Sequence, residues 1–151
     1  MQVMLLRLMI FALLFSLPTA SHAEEPLVYR DHPKDAREES VLDYLKLIKR
    51  YDPALPLGMA AVDLNGDGVD EWIIRQVTSA SCETAANCPY VVAGLSDKEP
   101  ALLGEFPARK VGIADEKLYG VRKLLVYNEK NNDFAFKTYV WTPAETAFRP
   151  K

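Results

Sequence analysis

From residue 57 to the C-terminus the chain is divided into short runs of Val, Ile, Leu, Tyr, Phe and Trp by turn-forming residues, with connections too short for crossover helices. Runs of this kind read as half-buried strands, and strands joined by short connections pair antiparallel. The pattern predicts strands over 58–62, 71–77, 90–95, 101–105, 110–114, 121–127, 134–141 and 147–149. The polar stretch Asn128-Glu129-Lys130-Asn131-Asn132-Asp133 separates two of the longer ones, which predicts an antiparallel hairpin there. One stretch reads differently. Between Asp35 and Tyr51 the apolar residues Val41, Leu42, Tyr44, Leu45, Ile48 and Tyr51 recur at helical spacing, opposite Asp43, Lys46, Lys49 and Arg50. Asp35 with Glu38 has the spacing of a capping box, and Pro53 marks the expected end of the helix. The expected class is α+β, an N-terminal amphipathic helix packed on a mainly antiparallel, meandering β-sheet, in a single domain over 35–151.

The N-terminus has another layout. Arg7 precedes an apolar run over 8–17, then Pro18, then small residues ending Ser21-His22-Ala23. That is the order of parts in a secretory signal peptide, with cleavage expected after Ala23. Its apolar core is shorter than the roughly 20 residues a membrane span needs. No later run reaches that length, so the expected product is periplasmic or secreted and not membrane-spanning. No Cys follows the run, which argues against a lipid anchor. Residues 24–34 carry two prolines and no clear period, and are expected to be an extended or mobile lead-in. Cys82 and Cys88 are the only two cysteines. In an exported chain that even count and short spacing predict a disulfide closing a small loop.

The segment Asp63-Leu64-Asn65-Gly66-Asp67-Gly68-Val69-Asp70-Glu71 places oxygen-bearing side chains at alternate positions and glycines at the sharp turns. A hard cation such as calcium takes about 6–8 oxygen ligands in flexible geometry. Asp63, Asn65 and Asp67 can aim inward from one tight coil, the Val69 carbonyl can add a further oxygen, and Glu71 can close the set. Gly66 and Gly68 supply backbone conformations costly for other residues. The expected cofactor is calcium, with magnesium disfavoured by its stricter octahedron.

The spacing Asp-x-Asn-x-Asp-Gly-x-x-Glu resembles the calcium loops of the FG-GAP and VCBS repeats of integrin-type propellers and bacterial surface proteins. In that family the loop joins two strands, as the flanking runs 59–62 and 72–77 also suggest here. The resemblance implies metal ligation by Asp63, Asn65, Asp67 and Glu71 with the Val69 carbonyl; Glu71 stands where the family usually has Asp. It spans about a dozen residues, without the repeated blades of a propeller. An EF-hand fits less well, because its closing bidentate Glu falls at Ile74, its apolar eighth position at Asp70, and no helix pattern flanks the loop.

Little else in the chain points to chemistry. Beyond the leader only His32 remains, so a Ser-His-Asp or Cys-His nucleophilic site is hard to assemble. No basic stripe with interleaved aromatics suggests nucleic acid; Arg109-Lys110 and Arg122-Lys123 read as solvated pairs. The glycines near the acids would repel phosphate rather than cradle it. Trp72, Tyr90, Tyr119, Tyr127, Tyr139 and Trp141 read as core or cross-strand partners rather than a binding face. The expectation is a non-enzymatic, calcium-binding structural or binding module of the cell envelope, its partner an envelope protein or polymer. The alternative is a periplasmic inhibitor or immunity protein that blocks a hydrolase with the disulfide-tied segment 81–89.

Overall fold

In the computed structural model, residues 24–79, 82, 87–130, 132 and 134–151 are described; the expected leader, 1–23, lies outside them, as does 83–86 inside the disulfide loop. The strands β2 (Leu57–Val62), β3 (Glu71–Gln76), β4 (Cys88–Ser96) and β5 (Glu99–Ala108) form a four-stranded antiparallel sheet in chain order. A second, five-stranded sheet runs β1 (Glu24–Glu25), β6 (Lys110–Leu118), β7 (Val121–Tyr127), β8 (Lys137–Thr142) and β9 (Ala147–Pro150), also antiparallel throughout. The chain passes from one sheet to the other at Arg109, whose N–H already donates to the Tyr127 carbonyl at 2.8 Å.

This arrangement overturns the α+β expectation. The fold is a mainly β, two-sheet sandwich, and the one helix among the described residues, α1 (Ala36–Leu47), has 12 residues. The reason lies in β3 and β4, which are apolar on both faces. Trp72, Ile74, Val91 and Ala93 bury one way, while Ile73, Tyr90 and Val92 bury the other. A sheet apolar on both faces needs two covers. The inner cover is the second sheet: Ile73, Tyr90, Val92 and Phe106 meet Val111, Ile113, Leu124, Val126 and Phe148 in one cluster. Val41, Leu42 and Leu45 of α1 supply the outer cover, against Met59, Trp72 and Ile74. Each such side chain contributes roughly 1.5–3 kcal/mol when fully withdrawn from water.

The helix begins at the expected cap but ends before the expected stop. Asp35 is the N-cap, its carboxylate accepting from the N–H of Arg37 at 3.0 Å and of Glu38 at 3.1 Å. The reciprocal arm is displaced, because Glu38 accepts from the Lys34 N–H at 2.5 Å instead of the Asp35 N–H. The helix stops at Leu47, well short of Pro53. Lys49 takes the left-handed conformation at φ 60°, its N–H donating to the Lys46 carbonyl at 3.1 Å and that of Arg50 to Leu45 at 2.7 Å. Those two bonds are a Schellman closure with lysine where glycine is usual.

The lead-in is extended and touches both sheets. Glu24 and Glu25 pair with β6 as the edge strand β1, and Arg30 exchanges backbone bonds with Met59 of β2 at 2.9 and 2.8 Å. Glu24 accepts from the Tyr127 hydroxyl at 3.0 Å and from Lys110 at 2.9 Å. The Arg122-Lys123 pair is not the solvated face the sequence suggested. Lys123 is only 7% exposed and pairs with Glu116, and the Arg122 guanidinium is shared by Glu25, Asp115 and the Ala114 carbonyl. Cys82 and Cys88 form the expected disulfide, S–S 2.01 Å, and both are buried in the inter-sheet cluster. No helix among the described residues is long and apolar enough to cross a membrane.

Candidate metal centre

The acidic loop, 63–70, joins β2 to β3, whose end residues Val62 and Glu71 face each other across the ladder. Antiparallel order brings the turns at Asp97-Lys98, Tyr119-Gly120 and 143–146 to the same end of the sandwich. The loop is tied to the second sheet there, the Arg122 N–H donating to the Leu64 carbonyl at 2.8 Å while the Leu64 side chain sinks into the core. Gly66 and Gly68 sit at φ 83° and 82°, the left-handed region that the loop's turns require.

Inside the loop the side chains turn onto the backbone. Asp63 accepts from the N–H of Gly66 at 2.6 Å and of Gly68 at 3.0 Å, and these bonds hold its carboxyl below the usual range. Asn65 accepts from the Asp67 N–H at 2.8 Å, and Asp67 from the Val69 N–H at 2.7 Å. The Asn65 amide nitrogen donates to Asp67 at 3.0 Å and to Glu71 at 3.2 Å. Glu71 differs from the others in being 9% exposed, with its second oxygen accepting from the Leu64 N–H at 2.8 Å. Burial, with the charges of Asp67 and Asp63 adding to it, pushes its carboxyl up to about 7 against the opposing Leu64 bond.

The structure thus brings Asn65, Asp67 and Glu71 into one hydrogen-bonded group, with Asp63 folded over the glycines on the same loop. The Val69 side chain is 37% exposed, and its N–H is engaged by Asp67. No three His, Cys, Asp or Glu side chains among the described residues converge as a ready metal cluster. The donor set nevertheless suits a hard cation: each of the four side chains singled out in the sequence offers an oxygen, and Glu71, nine-tenths buried, stands beside two further acidic side chains. Lys117 is a neighbour that the linear pattern gave no signal for. Its ammonium stands 3.0 Å from where a Cβ on Gly66 would lie, carried there by the β6–β7 hairpin.

The fold and this loop define a class, a two-sheet β-sandwich bearing an Asp-x-Asn-x-Asp-Gly loop between adjacent antiparallel strands. The chain matches no family model, no curated protein and no solved structure.

Proposed function

We propose that this chain is an exported, calcium-stabilised module of the cell envelope, acting as a structural or binding domain without catalysis. The observation that supports the reading most is the Glu71 carboxyl, gathered with Asn65 and Asp67 and raised first by its burial and then by its acidic neighbours. A divalent cation held by Asp63, Asn65, Asp67 and Glu71, with the Val69 carbonyl, would compensate that concentration of negative charge. The likeness of the spacing to FG-GAP and VCBS loops agrees with this, as does the position of the loop between two strands. A bound cation would pin β2 to β3 and stabilise the sandwich by mass action. The disulfide suits an oxidising compartment, in keeping with the leader-like N-terminus. The partner in this reading is an envelope protein or polymer.

The test is a calcium titration of the oxidised protein followed through the backbone amide signals of Leu64, Gly66 and Gly68. The reading expects saturable shifts at one ion per chain, weaker with magnesium and lost in an Asp63→Ala, Asp67→Ala variant. Signals that do not move with calcium would remove the metal from the proposal.

A further inference from the structure

At the loop end of the sandwich, a cavity of about 340 Å³ opens between the two sheets. Both sheets build it. Leu103 lines it from β5, and Val121, Trp141 and Phe148 from β7, β8 and β9, all in the inter-sheet cluster, while Leu95 and Leu102 border it but pack with the outer, helix-side cluster. The mouth is polar, with Asn65 from the acidic loop, Ser96 from the end of β4 and Thr146 from the β8–β9 turn. Glu71, nine-tenths buried, stands on the wall below them.

A glycine sets this combination of walls. A Cβ on Gly94 would lie 2.6 Å from Leu103 Cδ1 and 3.3 Å from Glu71 Cγ, so any other residue there would push the end of Leu103 aside and crowd Glu71. The space is at the lower end of the roughly 300–1,000 Å³ of small-molecule sites, which are apolar clefts with a few placed polar groups. At about 30 Å³ per water-sized atom it has room for roughly ten heavy atoms.

We propose that this cavity binds a small amphiphile with an aliphatic body and one hydrogen-bond-donating, non-anionic head group, an alcohol or an amine. The body lies against Leu103, Val121, Trp141 and Phe148, and the head points to the Glu71 and Asn65 edge. An anionic head is disfavoured, because the group it would meet is the Glu71 carboxyl, joined through the Asn65 amide to the carboxylate of Asp67. Because Glu71 and Asn65 belong both to this edge and to the proposed cation site, the inference is made for the calcium-free protein, and its test is run in chelator.

The test uses 1-octanol, octylammonium and octanoate as matched probes on the oxidised protein, with chelator present, read by amide NMR shifts. The expected result is saturable binding of octanol and octylammonium with shifts at Leu64, Ser96, Val121 and Thr146, and octanoate at least about tenfold weaker, a 1.4 kcal/mol discrimination. Leu103→Trp fills the cavity from one sheet and Val121→Phe from the other. Whichever keeps the amide pattern of Tyr90 and Val92 should lose the binding by a similar factor. The proposal is overturned if no probe saturates, if octanoate binds as well as octanol, or if binding survives the filled cavity. It is equally overturned if the shifts fall instead in the open groove by the C-terminal end of α1, around Tyr51, Pro89 and Pro107.

Discussion

The Trp72 indole N–H donates to the Glu38 carboxylate at 3.2 Å, joining α1 to β3 one residue away from Glu71. Glu38 is 3% exposed, and it also accepts from both terminal nitrogens of Arg30, at 2.9 and 2.6 Å, and from the Lys34 N–H. One carboxylate therefore fastens the lead-in, the helix and the sheet. The bonds from Arg30, foremost, with those from Lys34 and Trp72 hold it below its ordinary value of 4.5.

The sign of the resulting pH dependence follows from that depression. The unfolded carboxyl takes up its proton at higher pH than the folded one, so the contribution of this network is complete above about 4.5 and is lost as pH falls through the folded value. Urea unfolding between pH 7 and pH 3 should show this loss in the wild type and a shallower one in Glu38→Gln. Glu38→Ala, which leaves buried donors unmet, should cost about 2 kcal/mol at pH 7. A wild-type slope unchanged in both variants would show that Glu38 is not its source.

Lys49→Gly should stabilise the protein. Lys49 holds φ 60° to close the helix, a conformation that costs a side-chain-bearing residue about 1–2 kcal/mol and glycine almost nothing. After the entropy that glycine gives back to the unfolded chain, a net gain of about 0.5–1 kcal/mol is expected in denaturant melts. A loss would mean that the lysine side chain contributes more than the turn costs.

The strands after residue 57 and their antiparallel pairing were legible because Val, Ile and aromatic runs alternate with turn residues, and the Cys pair because of its spacing, whereas β1 in the lead-in left no such run. The division into two sheets was not. Its trace was the unbroken apolar runs Trp72-Ile73-Ile74 and Tyr90-Val91-Val92-Ala93, which mark strands covered on both faces rather than one. Pro53 misled about the helix end because a stop made by Lys49 in a left-handed turn leaves no compositional mark. Among the site residues the oxygen spacing could be read directly. The burial of Glu71, which lies against Gly94 of β4 and under the loop, and the approach of Lys117, carried by the β6–β7 hairpin, could not, since both arise only from the tertiary fold.

Without metal, Glu71 is a liability. Its folded value of about 7 lies above the ordinary 4.5, so the metal-free protein loses stability as pH rises between those values. In chelator at neutral pH, Glu71→Gln should therefore be more stable than wild type by about 1 kcal/mol. Adding calcium should reverse the order, because the glutamine removes a charged ligand. Denaturant midpoints of both proteins, each with calcium and with chelator, give this comparison.

Replacing both Cys82 and Cys88 by alanine keeps the site apolar but frees the loop. With a sequence separation of 6 between the cysteines, the closed loop is short, and the expected cost is about 2 kcal/mol. Guanidinium unfolding of the double variant measures it, and an unchanged midpoint would contradict the expectation.

The most direct measurement is thermal unfolding of the oxidised protein with calcium, with magnesium and with chelator, alongside the Asp63→Ala, Asp67→Ala variant. A calcium-stabilised sandwich predicts a rise specific to calcium, about 2.7 kcal/mol at a hundredfold excess over the dissociation constant, and none in the variant. Identical melting in calcium and chelator would contradict it and leave 63–71 as an ordinary glycine-rich turn.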